Sequence, residues 1–173
     1  MPKESEQVYE QRCREALQNG NISEFKLQFS RWLYWYKITE KNKPYYGVYK
    51  FFEGAHDECV QNTDSPNIPQ ELRIYAVLSY ITMDKYDKAV EALDDMRKRF
   101  EDDPKMIVML DVIEAVVHFL SGKSEEERMD LLDAITHDKA YAIDYLHSVL
   151  SSIEDPKTQA ILRDNFRSII PEI

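Results

Sequence analysis

Apolar residues recur at intervals of three and four positions along most of the chain, which is the spacing of α-helices with one buried face. The pattern is clearest over residues 71–104, where two periodic stretches flank a polar interruption at Met83, Asp84 and Lys85. This segment predicts two antiparallel helices joined by a tight turn. No segment combines strict apolar and polar alternation with turn residues at both ends, as a half-buried strand would. We therefore expect an all-α protein.

Turn-forming residues divide the rest of the pattern into further helices. Gly20 and Gly122 are typical helix-ending residues, and Ser23 and Ser124 are expected to cap the helices that follow them. The result is about eight helices in roughly four antiparallel pairs, stacked like a solenoid because one pair cannot bury its own apolar face. Besides the pair at 71–104, helices are expected over residues 6–18, 23–38, 45–61, 105–121, 138–153 and 156–170, with another after Ser124.

The chain is long enough for one domain with a full core. It has 173 residues, of which 43% are hydrophobic. Residues 62–69 contain two prolines and are the clearest linker, so they are the one candidate for a boundary inside a single domain over residues 1–173.

The formal net charge of −10 is unevenly distributed. Residues 1–50 carry 9 Lys and Arg against 6 Asp and Glu, whereas residues 51–173 carry 13 against 26. An acidic body repels phosphate backbones, so nucleic-acid binding is disfavoured outside the N-terminal third. No apolar run reaches the roughly 18 residues of a membrane-spanning helix, and no secretory signal is recognised. We expect a cytoplasmic protein, with the nucleus as the alternative, and no membrane insertion.

The hairpin over residues 71–104 resembles a degenerate tetratricopeptide repeat. Tyr80, Tyr86, Ala89 and Leu93 occupy the aromatic, turn-following aromatic, small and bulky positions of that repeat, and Asp84 stands where the family has a turn glycine. The resemblance implies a helical-repeat surface that binds other proteins.

A second resemblance involves two other segments. Residues 15–36 contain a helix ending in Gly-Asn and a following helix that opens with Glu-Phe, and residues 67–81 contain a Tyr-rich helix after a Pro-containing loop. Both are similar to the helical repeats of PCI-associated scaffold subunits. Such subunits occur in the proteasome lid, the signalosome and messenger-RNA export complexes, so this resemblance implies a scaffold role with access to RNA.

Catalytic and metal-binding motifs are not recognised in the sequence. It contains no His-Glu-x-x-His, no phosphate-binding glycine loop and no Gly-x-Ser-x-Gly turn. His56 and Cys59 share a helix face, but two ligands do not make a zinc site, which takes four. His118 lies in an apolar helix, and His137 precedes Asp138 with no nucleophile motif nearby. We predict a protein that is not an enzyme and that holds no metal or cofactor.

The most unusual run is Trp-Leu-Tyr-Trp-Tyr at residues 32–36. On a helix these side chains point in all directions, so one neighbouring helix cannot bury all of them. Some are expected to face a groove or a partner, and the aromatic bias continues to residue 52. The predicted partner-binding residues are Arg31, Trp32, Trp35, Tyr36, Lys37, Tyr46, Tyr49 and Lys50.

These features predict an adaptor or scaffold subunit that captures a helix or an extended peptide of a protein partner, with the cations selecting an acidic segment. An RNA-associated subunit would instead stack single-stranded bases on the same face, and its binding would weaken steeply with salt. In a third alternative, a purely structural subunit, another chain would cover the apolar helix over residues 105–120.

Overall fold

The structure is a computed structural model in which residues 2–122, 124–133 and 138–173 are described. No strand occurs among these residues, so the all-α prediction is confirmed. They form ten α-helices and one short 3-10 helix: α1 (Glu6–Gln18), α2 (Ile22–Tyr36), α3 (Lys43–Glu53), α4 (His56–Thr63), the 3-10 helix (Gln70–Leu72), α5 (Arg73–Thr82), α6 (Tyr86–Arg99), α7 (Pro104–Leu120), α8 (Glu125–Asp133), α9 (Ala140–Ser151) and α10 (Pro156–Ile169).

The first three helix pairs are closed by the same turn. The turn residue is Gly20 after α1, Gly54 after α3 and Asp84 after α5, with φ values of 68°, 85° and 59°. Its amide donates to the carbonyl three positions earlier, and the next amide donates to the carbonyl five positions before itself. This Schellman ending satisfies carbonyls that the helix leaves free. Because the next helix begins two residues later, α1 and α2, α3 and α4, and α5 and α6 pack as antiparallel neighbours.

The single helix expected over residues 45–61 is wrong, because the chain reverses at Gly54 and forms α3 and α4 instead. Gly47 remains inside α3 and serves close packing of the two helices. A Cβ atom at this position would lie 2.7 Å from Thr63 Cγ2 and 2.8 Å from Asn62 Cβ. The two glycines of this segment therefore have different roles, one in the turn and one in the helix contact.

One of the two expected serine caps is replaced by another residue. Asn21, not Ser23, caps α2, since its side-chain oxygen accepts the amide of Glu24 at 3.1 Å. Ser124 caps α8 as expected and accepts the amide of Glu127 at 3.1 Å. Asparagine is as good a cap as serine, and the turn at residue 20 starts the helix two residues earlier than a cap at Ser23 predicts.

Aromatic rings fill the interface between α2 and α3. The ring of Phe29 lies 6.4 Å from Trp32, 6.5 Å from Tyr46 and 5.3 Å from Tyr49, measured between centroids. Such pairs contribute about 0.5–1.5 kcal/mol each beyond the burial of their area. A second set of fully buried rings joins α3 to α5: Phe51, Phe52 and Tyr75.

The apolar helix α7 is buried by this chain itself. Its neighbours are α6, α8, α9 and α10. The structure therefore gives no reason to expect that another chain covers this helix. The buried side chains are Met106, Val108, Met109, Leu110, Val112, Ile113, Ala115, Val116 and Val117. None of the described helices has both the length and the apolar composition needed to cross a bilayer.

The C-terminal pair, α9 and α10, folds back onto the earlier pairs. The amide of Glu154 donates to the carbonyl of Phe52 at 3.0 Å, and its carboxylate pairs with Lys26 at 2.8 Å. The hydroxyls of Tyr75 and Tyr145 lie 2.8 Å apart in the buried contact between α5 and α9. The last pair and its loop thus contact α2, α3 and α5, which belong to the first three pairs.

The predicted linker at residues 62–69 is tied to α5. The Asp64 carboxylate accepts a bond from Arg73 Nε at 3.0 Å and another from the Tyr80 hydroxyl at 2.5 Å. One continuous cluster of buried hydrophobic residues contains side chains from both sides of the linker. The segments before and after it therefore share one core.

Alanine at Gly54 is expected to destabilise the protein more than alanine at Gly122. Both residues have a positive φ, of 85° and 80°, so both substitutions carry a similar backbone penalty of roughly 1–2 kcal/mol. Only the Cβ at residue 54 would also meet Asp155, at 2.7 Å, whereas nothing lies within 4 Å at residue 122. Denaturant titration should show an additional loss of about 1 kcal/mol or more for Gly54→Ala. Equal losses would contradict the close contact of this turn with the loop between α9 and α10.

Candidate partner-binding surface

The predicted binding residue Trp32 belongs to the core. It shares a face of α2 with Phe25 and Phe29, and all three side chains are fully buried. Its indole Nε1 donates to Glu6 Oε1 at 3.2 Å, which ties α2 to α1. The structure therefore does not place Trp32 on the surface to which the sequence pattern assigned it, because its neighbours in the fold enclose the ring.

The opposite side of α2 carries large side chains that face solvent. Leu27, Tyr34 and Ile38 expose 46%, 70% and 44% of their surface, and Arg31 and Trp35 lie half-buried beside them. The intervals of three and four residues place Leu27, Arg31, Tyr34 and Trp35 along one side of α2, and Ile38 follows two residues after the helix ends. We call these five residues the outer stripe of α2. Four of them border a shallow depression of about 420 Å³.

The outer stripe holds most of the strongly exposed large apolar side chains. Within the described residues there are four of these, and three belong to the stripe, whereas the fourth is Met129 on α8. The ring of Tyr34 packs edge-to-face against Trp35 with centroids 5.0 Å apart, which supports the exposed ring. Contiguous exposed apolar surface of this kind is typical of interaction sites.

The other predicted aromatic residues make contacts within the chain. The Tyr36 hydroxyl donates to the carbonyl of Glu4 at 2.8 Å, and the Tyr46 hydroxyl donates to Glu58 Oε2 at 2.8 Å. The bond to Glu58 raises the pKa of Tyr46. Tyr49 packs half-buried against the core. These residues hold neighbouring helices together and lie apart from the outer stripe.

Arg31 lies in the second half of α2, and Lys37 and Lys41 follow the helix. These three cations make no ion pair or cation–π contact with any described residue. The Lys50 ammonium, by contrast, pairs with Glu53 at 2.9 Å, and this bond raises the pKa of Lys50. The remaining cations of residues 1–50 are also engaged, by an ion pair or by an aromatic ring: Lys3, Arg12, Arg14, Lys26 and Lys43. The free positive charge of this region therefore borders the outer stripe.

Lys37 has an unusual backbone conformation. Its φ of 57° and ψ of −162° fall in a region that is almost restricted to glycine. The fully buried Asn42 holds it there, since its side-chain amide donates to the Lys37 carbonyl at 2.7 Å. The same side chain accepts the amide of Thr39 at 2.8 Å. The end of the outer stripe is thus fixed by a clamp of hydrogen bonds.

The candidate metal ligands have structural partners instead. His56 Nδ1 lies 2.9 Å from Ser79 Oγ and Nε2 lies 2.7 Å from Thr158 Oγ1, which in turn donates to Asp155 at 2.7 Å. Ser79 is fully buried, so this chain of hydrogen bonds offers no nucleophile to a substrate. Burial raises the pKa of the Cys59 thiol to about 11. In the part of the chain that the structure describes, no three His, Cys, Asp or Glu residues are grouped as a metal site requires.

His118 Nε2 lies 4.0 Å from Glu114 Oε1 on the same helix. His137 lies outside the described residues. Asp138 accepts the amide of Ala140 at 2.9 Å, at the start of α9.

Sequence reasoning missed Leu27, Tyr34 and Ile38 as candidate binding residues. A signal for Leu27 and Tyr34 was present, because they lie opposite Phe25 and Phe29 when α2 is drawn as a helical wheel. Five adjacent large residues cannot be divided between inside and outside without knowing which face of the helix meets α3. The structure supplies that orientation.

Comparison of the sequence with protein-family models, with curated proteins and with solved structures gives no match in any of the three.

The hydrogen bonds of His56 predict a specific pH dependence of stability. Because Thr158 donates to Asp155, His56 Nε2 donates to Thr158, and in the neutral ring Nδ1 accepts from Ser79. Burial lowers the pKa of His56, opposed by Asp155. The unfolded chain therefore takes up a proton first, near its ordinary pKa of 6.5, and the contribution of the neutral ring declines as the pH falls below that value.

Denaturant titrations of the wild type and of His56→Gln should be compared between pH 7.5 and pH 5, a range of about 2.5 units around the free histidine pKa. The stability advantage of the wild type is expected to shrink towards the acid end. A constant or growing advantage would contradict the buried neutral ring.

Proposed function

We propose that the protein is a non-enzymatic adaptor or scaffold subunit of an intracellular complex and binds a partner protein through the outer stripe of α2. The observation that carries this proposal is the exposure of Leu27 and Tyr34 on a helix whose other face is buried, with Ile38 also exposed just after the helix ends. A partner that covers these side chains would gain about 25 cal/mol for each Å² of apolar surface removed from water. Aromatic anchors within a polar rim are typical of protein interfaces.

The architecture that supports this role is a helical-repeat stack of the tetratricopeptide type. The turn at Gly54 follows that at Gly20 by 34 residues, which is the length of that repeat, and the turn at Asp84 follows after 30. Ala89 and Leu93, which match the small and bulky positions of the repeat, are fully buried in α6. Stacks of this kind present helix faces as binding surfaces.

An RNA-associated subunit is the alternative. The observation in its favour is the exposed ring of Tyr34 beside the free cations Arg31 and Lys37, since bases stack on such rings. Leu27 and Ile38 offer no stacking surface, and residues 51–173 carry twice as many acidic as basic residues. A protein segment therefore fits the outer stripe better than a nucleic acid.

Replacing Leu27 and Tyr34 by serine is expected to remove the partner without unfolding the protein, because both side chains are largely exposed. Loss of two such anchors should weaken binding about 30-fold or more. The tagged wild type, the double variant and Met129→Ser are used to capture proteins from the native lysate, which mass spectrometry then quantifies. The Met129 variant is the matched control, as it removes an equally exposed side chain on α8.

At least one protein should be lost from the double variant and retained by the control, with circular dichroism and melting temperature unchanged in both. Retention of every captured protein by the double variant would exclude the outer stripe as the site. Loss of the same proteins after ribonuclease treatment of the wild-type sample would favour the RNA alternative.

A further inference from the structure

We propose that the outer stripe receives an amphipathic helical segment whose carboxylates lie against Arg31 and Lys37. This inference rests on the proposed function and specifies the chemistry of the partner. It follows from three observations on different parts of the surface: the spacing of the exposed apolar residues, the distribution of unpaired cations, and the fixed backbone at the end of α2.

The apolar spacing fits a helix as the partner. Leu27 and Tyr34 lie seven positions apart on α2, which corresponds to about 10 Å of helix rise, and Ile38 follows two residues after the helix ends. An antiparallel or parallel helix of about three turns would cover this length with anchors at intervals of three and four residues. The depression between Leu27 and Trp35 is shallow and open on one side, as a helix groove is, and not an enclosed pocket.

The charges indicate an acidic partner. Arg31 lies within the stripe, Lys37 caps α2 and Lys41 follows in the next loop, and none of the three has an anionic partner among the described residues. Every other cation in the first 50 residues is engaged. Unpaired cations beside an apolar line select a segment that carries carboxylates at its edge, and they repel a basic one.

The backbone at Lys37 adds an argument from conformation. A non-glycine residue in this region costs roughly 1–3 kcal/mol and persists only where its surroundings determine it, as Asn42 does here. Glycine would adopt the same backbone without strain. A lysine at this position therefore sacrifices backbone stability, and what it provides is a cation at the end of α2, next to the exposed apolar side chains.

A second copy of this chain fits the surface less well than a separate acidic segment. Two outer stripes packed together would bring Arg31 and Lys37 of one copy against those of the other, and like charges in contact oppose association. A nucleic acid would leave Leu27 and Ile38 without a partner surface and would meet repulsion from the acidic remainder of the chain.

The test uses the full chain and a display library of random 16-residue peptides. The library is panned in parallel on the wild type and on Tyr34→Ser, and the enriched peptides are sequenced. We expect peptides enriched by the wild type alone to be net negative, with apolar residues at intervals of three and four and with Asp or Glu beside them. The tightest peptide is then synthesised with a fluorescent label and titrated by anisotropy.

Three further variants test the role of the cations: Arg31→Gln, Lys37→Gly and, as a control, Lys88→Gln on the exposed side of α6. Arg31→Gln and Lys37→Gly should each weaken the labelled peptide about 2- to 5-fold, and the losses should shrink as salt is added. Lys37→Gly should at the same time raise the melting temperature by roughly 2–4 °C, since it relieves the backbone. A gain in stability with a loss in affinity is an outcome that a purely structural lysine does not produce.

Several results would overturn the inference. Enriched peptides that are neutral or basic, but still lost with Tyr34→Ser, would refute the acidic partner and leave the proposed function standing. No enrichment over Tyr34→Ser would refute both. A labelled 20-nucleotide oligouridylate carries about one negative charge per nucleotide. If it binds more tightly than every peptide, the surface is assigned to RNA. A dimer in sedimentation that Tyr34→Ser dissociates would assign it to a second copy.

Discussion

The left-handed turn at Gly54 is the constraint on which the arrangement of the other helices depends. It ends α3, starts α4 and leaves room beside its Cα for Asp155, so the loop between α9 and α10 can reach the turn. The bonds from Glu154 to Phe52 and from His56 to Thr158 lie on either side of this contact. Widening the close approach would strain both of these bonds, because each of them spans the same short distance between the turn at Gly54 and the loop between α9 and α10.

The packing of the neighbouring helices determines which side of α2 reaches solvent. The packing of α2 against α1 and α3 buries Phe29 and Trp32. Tyr34 and Leu27 lie on the opposite side of the helix, so they face solvent. A helix in an extended row of repeats would have neighbours on two sides. Here the described helices cover only one side of α2, and Leu27 and Tyr34 on its other side remain in water. The candidate site is thus a consequence of which helices pack against α2.

The candidate surface is rigid at both of its ends. Asn21 caps the start of α2, and Asn42 clamps the backbone of Lys37 at its end. Side chains mounted on a capped helix keep their spacing, so a partner does not have to order them on binding. The chain of hydrogen bonds from Ser79 through His56 to Asp155 has the residue types of a catalytic relay, and it connects α4, α5 and α10.

Sequence alone determined the helical class, the turns at Gly20 and Asp84, and the uneven charge, because periodicity and turn chemistry are local properties. It also placed Arg31, Trp35 and Lys37 in the candidate site. Tertiary structure decided the rest: the reversal at Gly54 instead of one helix over residues 45–61, the coverage of α7 by this chain, and the burial of Trp32. A glycine inside a periodic pattern is consistent with both a helix and a turn, and adjacent aromatic residues fit either face of a helix. Only the packing of neighbouring helices resolves these choices, since it fixes which surfaces are removed from water.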